Sequence, residues 1–297
     1  MNTDTNPYAT AQQIEASNYS PLEGDVLRVS KSSLMTYMKC PRQFYWRYVA
    51  GLPTPPPSEE MIRGKLIHEV FEYGLLEGPE KANAKAKELG IEDDPCIDSM
   101  LLLVHQIAHD MGGFTVTESE VKHEVFKDDI VWVGLIDGLL RFCVVKNPDM
   151  GSVIVELKTG KMNKGKLART RKELLYYNML LSLMDEDYPE PTHFLYLSPD
   201  FIQEEHDPNY ALMPEGAKRG KTMWLGPEQG IAILEPIGKR SINAFSQSLS
   251  KTIDNLKLQQ FPMKWSEYFC PLWCEFCMNC EAELTGEIEE FELENYE

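Results

Sequence analysis

The chemistry in this sequence concentrates on two apolar runs. Asp137 closes the first, Val133-Gly134-Leu135-Ile136, and nineteen positions later Val153-Ile154-Val155-Glu156-Leu157-Lys158 carries a carboxylate and an ammonium two residues apart. On an extended strand, residues i and i+2 face the same side, so Glu156 and Lys158 share one face. A charge inside an apolar strand is costly unless it is paired or holds a metal. Carboxylate oxygens suit hard cations such as Mg²⁺ or Mn²⁺. Such an ion polarises a phosphodiester and acidifies a bound water. Lys158 is then placed to orient that nucleophile or to offset charge developing on the phosphorane. An E-x-K alternation is also common as a simple ion pair along a strand. The context that favours catalysis is the Asp137-Gly138 step before it and, directly after it, Thr159-Gly160 and a basic stretch.

That stretch holds Lys158, Lys161, Lys164, Lys166, Arg169, Arg171 and Lys172 with no acid among them. It stands against a formal net charge of −18 for the 297-residue chain. A DNA binder ordinarily presents a basic field, because phosphate neutralisation supplies much of its affinity, but the distribution of charge matters more than its sum. Taken alone a basic run is a solvated loop; beside a catalytic strand it becomes a candidate grip on a phosphate backbone, through Lys161, Lys164, Lys166, Arg169 and Arg171.

A second centre lies near the C-terminus. Seven cysteines are present, and Cys270, Cys274, Cys277 and Cys280 fall within eleven positions. Without a secretory signal such crowding favours metal ligation over disulfides. Cys-x-x-Cys spacing serves zinc and iron–sulfur clusters equally well, so a zinc knuckle of these four remains open. Cys96 and Cys143 read as ordinary buried residues.

The elements that must position these groups change period along the chain. Residues 1–26 read as a flexible leader. An aromatic-rich helix is expected from Ser32, capped by Ser32 or Ser33 and interrupted by Pro41 just after Cys40. Pro53 to Pro57 reads as an extended connector, and Glu59 to Leu76 as a helix followed by helical material to Met111. Val116–Phe126, Ile130–Ile136, Leu139–Val145 and Val153–Lys158 read as strands, with a turn at Asn147–Gly151. A helix over Leu167–Met184, a strand over His193–Leu197 and a long helix over Arg240–Leu258 follow. The expected fold is α/β: a mixed central sheet flanked by helices, with a helical N-terminal part and a C-terminal cysteine segment. One domain is expected over 27–283, followed by an acidic tail over 284–297. No apolar run approaches the roughly 20 residues of a membrane span, and Met1–Ser20 lacks the regions of a signal peptide, so a soluble, cytoplasmic protein is expected.

These motifs together resemble the PD-(D/E)XK nucleases, specifically their RecB-type branch, which includes CRISPR-associated exonucleases with a cysteine-ligated iron–sulfur cluster. The resemblance runs from about Ser32 to Cys280. Ser33-Leu34-Met35-Thr36-Tyr37-Met38-Lys39-Cys40-Pro41-Arg42-Gln43-Phe44 is similar to the family's opening segment, and Gly64-Lys65-Leu66-Ile67-His68 to its glycine–histidine motif. Gly134 to Gly138 and Glu156-Leu157-Lys158-Thr159-Gly160 match the two core strands, and the terminal cysteines match the cluster-binding end. The resemblance implies a restriction-endonuclease-like core and a Mg²⁺- or Mn²⁺-dependent deoxyribonuclease, an exonuclease on single-stranded DNA ends. It implies His68, Asp137, Glu156 and the Leu157 carbonyl as metal ligands, with Lys158 assisting attack. It implies a 4Fe-4S cluster on Cys40, Cys274, Cys277 and Cys280, with Cys270 as substitute. In the family's Gln-x-x-x-Tyr motif the match here is Glu173 to Tyr177, so a carboxylate replaces an amide that donates; Tyr177 is a candidate to position substrate or water, or a core aromatic. The competing function is a non-cleaving DNA-end-binding or adaptor protein of a recombination or CRISPR-adaptation complex.

Overall fold

Local capping sets the first elements. In the computed structural model, which describes residues 22–23, 26–143, 151–160, 162, 164–184, 190–202, 221–226 and 228–286, β1 (Leu22–Glu23) and β2 (Val26–Ser30) lead into α1 (Lys31–Lys39). Ser30 ends β2 extended and caps α1: its hydroxyl accepts from the Ser33 amide, and the Ser33 hydroxyl reciprocates on the Ser30 amide at 2.9 Å. The cap therefore precedes the expected Ser32 or Ser33, because β2 delivers the chain to the helix already extended. Pro41 has no amide hydrogen to continue the ladder; Cys40 turns extended and Pro41 opens α2 (Pro41–Phe44), followed by a π-helical turn at Tyr45–Val49. Ser58 caps α3 (Glu59–Glu77), with Glu59 and Glu60 in its first turn complementing the helix dipole. Next come α4 (Pro79–Glu88) and α5 (Pro95–Asp110), each opened by proline.

The strands follow: β3 (Phe114–Glu118), β4 (Val121–Lys127), β5 (Ile130–Ile136), β6 (Gly138–Phe142), β7 (Ser152–Leu157), then α6 (Lys164–Ser182), β8 (Pro191–Ser198), β9 (Thr222–Leu225) and β10 (Ile231–Pro236). Helices α7 (Lys239–Lys257), α8 (Phe269–Trp273) and α9 (Cys277–Thr285) complete the described elements. The strand expected over 116–126 is two strands, broken at Ser119-Glu120, where Glu120 adopts φ 51°. The basic stretch is not a loop throughout: α6 begins at Lys164, since Lys, Leu, Ala and Arg favour helix and Gly165 falls in its first turn, where it interrupts no established ladder. Strands β2, β9 and β10 have no counterpart in the sequence-based expectation. The expected turn at 147–151 falls almost wholly outside the described residues, as do most of the leader and the acidic tail. No helix among the described residues is long and apolar enough to cross a membrane.

One sheet has the order β1-β2-β5-β4, with β2 parallel to β5 in the register Leu27↔Ile130 to Ser30↔Val133. The other has the order β3-β6-β7-β8-β10-β9; β7 is antiparallel to β6 and parallel to β8. All six β7 residues are buried, as befits an interior strand with a parallel neighbour and both faces covered. Alternation then sorts its side chains. Val153, Val155 and Leu157 pack with Ile67, Phe71 and Leu75 of α3 and with Met100, Leu103 and Ile107 of α5. Each such fully buried side chain contributes roughly 1.5–3 kcal/mol relative to exposure. Ile154 and Glu156 take the opposite face, toward α6, where Glu156 and Lys158 meet Glu173.

The chain divides into two compact units, one within residues 58–125 and 134–245, the other within 1–57, 126–133 and 246–297. The six-stranded sheet with α3 to α6 belongs to the first; α1, α2, α8, α9 and all five cysteines at positions 40 and 270–280 belong to the second.

Candidate active site

At one end of the six-stranded sheet the chemical residues converge. Asp137, at the step between β5 and β6, accepts the Leu157 amide on Oδ2 at 2.8 Å. This contact fixes the carboxylate against β7 and leaves Oδ1 toward α3, where it lies 3.6 Å from His68 Nδ1. Glu120, from the β3–β4 turn, places Oε1 3.5 Å from the same nitrogen. His68 reaches this point because α3 comes very close to the segment after β7: a Cβ on Gly64, one turn before His68, would lie 3.0 Å from Thr159 Oγ1. Burial alone would lower the His68 pKa, but Asp137, Glu120 and Glu156 outweigh it and raise it. One atom each from His68, Glu120 and Asp137 lie within 4.8 Å of one another, a donor set of one imidazole and two carboxylates that fits a divalent cation.

Glu156 is 1% exposed and ion-paired with Lys158. The Lys158 ammonium also lies 2.9 Å from Glu173 Oε2, so two carboxylates flank it. The sequence places Glu156 and Lys158 on one face, and the structure brings them into contact; Glu173 joins them from α6. Tyr177 is buried beside this group and its hydroxyl donates to the Leu135 carbonyl, tying α6 to the end of β5. Burial raises the Tyr177 pKa well above its ordinary value, and the charges of Glu156 and Asp137 push the same way.

Part of the basic stretch is engaged within the protein. Arg171 forks onto Glu235 at 2.6 and 3.0 Å, and Lys166 donates to the Thr159 and Gly160 carbonyls. Arg169 and Lys172 are exposed. Lys161 and the Lys164 side chain lie outside the described residues.

Two groups escaped the sequence analysis. One is Glu120, hidden because its turn carries neither Gly, Pro nor Asn. The other is a clamp in which Arg63 donates to Asp94 at 2.6 and 2.7 Å and to Asp200 at 2.8 and 2.9 Å, while Asp200 also accepts the Gly160 amide at 2.5 Å. It braces the Thr159-Gly160 segment against α3; only the position of Arg63 beside Gly64 could have signalled it.

In the other unit, the cysteines gather around Trp46. The Trp46 indole donates to Cys280 Sγ at 3.4 Å, and Phe276, Cys274 and Cys280 pack with it. The segment after Cys40 meets the C-terminal group, where Gln43 donates to Glu275 at 2.9 Å and Arg47 pairs with it at 2.7 Å. Burial raises the thiol pKa of Cys274 and Cys277 and pushes Cys280 up to about 11. Among the described residues no three sulfurs lie within 4.8 Å of one another. Cys96 is buried as expected, but Cys143 is exposed: Phe142 points inward at the end of β6, and alternation turns the next side chain outward.

A mixed sheet with Asp137 at a strand step, Glu156 and Lys158 on the next strand and a cation-fitting donor set beside them defines a metal-dependent phosphodiester hydrolase of the nuclease class. The sequence model of the PD-(D/E)XK nuclease superfamily matches residues 28–281, and the chain belongs to that superfamily. Among solved structures, one described as "Crystal structure of SSO0001" is similar at 16% identity over 93% of this chain and 95% of that one, with a TM-score of 0.35. No curated protein matches the chain.

Proposed function

We propose that this chain is a Mg²⁺- or Mn²⁺-dependent deoxyribonuclease that acts as an exonuclease on single-stranded DNA ends. The observation that carries the reading is the meeting of Asp137, His68, Glu156 and Lys158 at one end of the six-stranded sheet, each delivered by a different local constraint. The residues that would hold the ion are His68, Asp137, Glu156 and the Leu157 carbonyl. When bound, the ion supplies a Lewis acid for the scissile phosphate and a more acidic water. Asp137 is held in place by the Leu157 amide on Oδ2, so Oδ1, on the His68 side, needs little reorganisation. Lys158, flanked by Glu156 and Glu173, presents an ammonium whose position is fixed before the phosphate arrives, where it offsets charge on the leaving or attacking oxygen. The single-stranded substrate and the preference for ends rest on the resemblance to the RecB-type branch, as does docking on recombination or CRISPR-adaptation proteins.

The cysteine centre belongs to the same reading, as a 4Fe-4S cluster on Cys40, Cys274, Cys277 and Cys280, with Cys270 as substitute. Its support is the packing of the segment after Cys40 on the C-terminal one, through Gln43 and Arg47 on Glu275 and Trp46 on Cys280. A bridge from Cys40 to Cys274 closes a loop of more than two hundred residues; by the loop-entropy model for covalent bridges this is worth about 5 kcal/mol.

The test is cleavage of end-labelled single-stranded DNA with Mn²⁺ after anaerobic purification, wild type beside Asp137→Ala. Shortening from the labelled ends that requires metal and disappears in the variant is expected. An iron-loaded wild type that binds DNA ends without cutting overturns the nuclease reading in favour of an end-binding adaptor.

A further inference from the structure

Glu120 occupies a position that no motif requires and that the chain reaches at a conformational disadvantage. It sits in the two-residue break between β3 and β4 at φ 51°, where a side-chain-bearing residue is uncommon. Two contacts hold this break. The Ser119 hydroxyl donates to the Asp137 backbone carbonyl at 3.1 Å, and His123 from β4 pairs with Glu118 from β3 at 2.7 Å. The first of these ties the turn directly to the residue that carries the Asp137 carboxylate, so the two carboxylates move as one piece. The result is Glu120 Oε1 at 3.5 Å and Asp137 Oδ1 at 3.6 Å from the same imidazole nitrogen.

We infer that Glu120 is a further protein ligand of the catalytic cation, adding a carboxylate beside His68 and Asp137. The inference rests on the metal-dependent nuclease reading and adds a residue to it. Three features carry it. Donors around one small divalent ion with bonds near 2.1 Å lie about 3 Å apart, so the two separations from His68 need a contraction of roughly half an ångström. Glu156, the carboxylate that the motif itself offers, is engaged by Lys158 and turns toward α6; the carboxylate nearest His68 besides Asp137 is Glu120. Finally, the Ser119 bond to the Asp137 carbonyl holds the turn that carries Glu120 at this end of the sheet.

Titration of Mn²⁺ into the full-length protein, with free ion followed by its electron paramagnetic resonance signal, tests this without any turnover. Wild type, Asp137→Asn, Glu120→Gln and Glu120→Asp are compared, with circular dichroism and hydrogen exchange of the β3–β4 segment to check folding. The expected result is loss of the site in Asp137→Asn and a fall in affinity of about tenfold or more in Glu120→Gln, on the scale seen when groups around a metal are removed. Glu120→Asp keeps a carboxylate and recovers part of the affinity, which a purely structural role for the glutamate would not produce. Affinity within twofold of wild type in Glu120→Gln, while Asp137→Asn has lost the site, overturns the inference and leaves the nuclease reading standing. Absence of Mn²⁺ binding in the wild type overturns both.

Discussion

Replacing Lys158 with Met removes the ammonium and keeps most of the stem, so the change isolates charge from packing. Glu156 is 1% exposed, the Glu173 side chain 12% and Lys158 itself 24%. Breaking a fully buried pair by deleting one partner costs about 3–5 kcal/mol, and an exposed pair is worth at most about 1 kcal/mol. The quarter exposure of Lys158 places this case between those limits, at about 2 kcal/mol of lost stability in the presence of EDTA. A cation held partly by Glu156 would take over much of the compensation that Lys158 supplied. The cost should then fall by half or more when Mn²⁺ is added. Urea denaturation with and without Mn²⁺ measures both numbers, and hydrogen exchange of β7 amides reports whether the loss lies in this strand. DNA cleavage should drop by about a hundredfold, the scale of losing one preorganised charge-stabilising group. A cost under about 0.5 kcal/mol, or one that Mn²⁺ leaves unchanged, would refute the picture of Glu156 as a buried carboxylate shared between Lys158 and the ion.

Tyr177→Phe removes the hydrogen bond to the Leu135 carbonyl and should cost about 1 kcal/mol; cleavage should stay within a few-fold, and a hundredfold loss with unchanged folding would make the hydroxyl catalytic instead. Acid should destabilise the Arg63 clamp. For Asp94 the Arg63 fork lowers the pKa; for Asp200 burial pushes upward, but Arg63 and the Gly160 amide more than offset it. Both folded values lie below the ordinary 3.8, so their stabilisation is present above that pH and is lost as pH falls through the folded values. Asp200→Asn should flatten the decline of stability below about pH 4, and an unaltered pH profile would exclude the clamp as its source. Cys40→Ser, purified anaerobically, should lose the brown chromophore and its iron; full iron content would show that the C-terminal cysteines suffice.

What the sequence revealed and concealed follows from range. Asp137, Glu156 and Lys158 were legible because a charge in an apolar strand is conspicuous and strand alternation places i and i+2 together. Glu120 was concealed because Val116 to Phe126 keeps a β-rich composition across a break that uses a left-handed glutamate, where the usual signal would be Gly or Asn. The Arg63 clamp joins positions 31 and 137 residues apart; no local pattern encodes that. Arg171 read as a phosphate contact because its acceptor, Glu235, lies on β10, a strand the sequence analysis did not anticipate. Cys143 is a simpler case: the alternation that correctly buried Phe142 already required its neighbour to face outward.

The acidic balance of the chain and its function as a nuclease are reconciled at the site itself. Four carboxylates, Glu120, Asp137, Glu156 and Glu173, surround one ammonium and one imidazole. Such a site repels a phosphodiester until a divalent cation enters, and it then presents that cation among fixed negative charges. The described part of the basic stretch reinforces this order of events. Arg171 and Lys166 engage acceptors within the protein, and both contacts brace elements that carry site residues: Arg171 holds α6, which bears Glu173, and Lys166 holds Thr159-Gly160, which follows Lys158. Glu173 fits the same scheme. A carboxylate in place of the amide cannot donate to phosphate, but it pairs with Lys158 and fixes where that ammonium points. Lys166 and Arg171 arrange the site, and under the proposed function a cation held by the carboxylates would meet the phosphate at its centre.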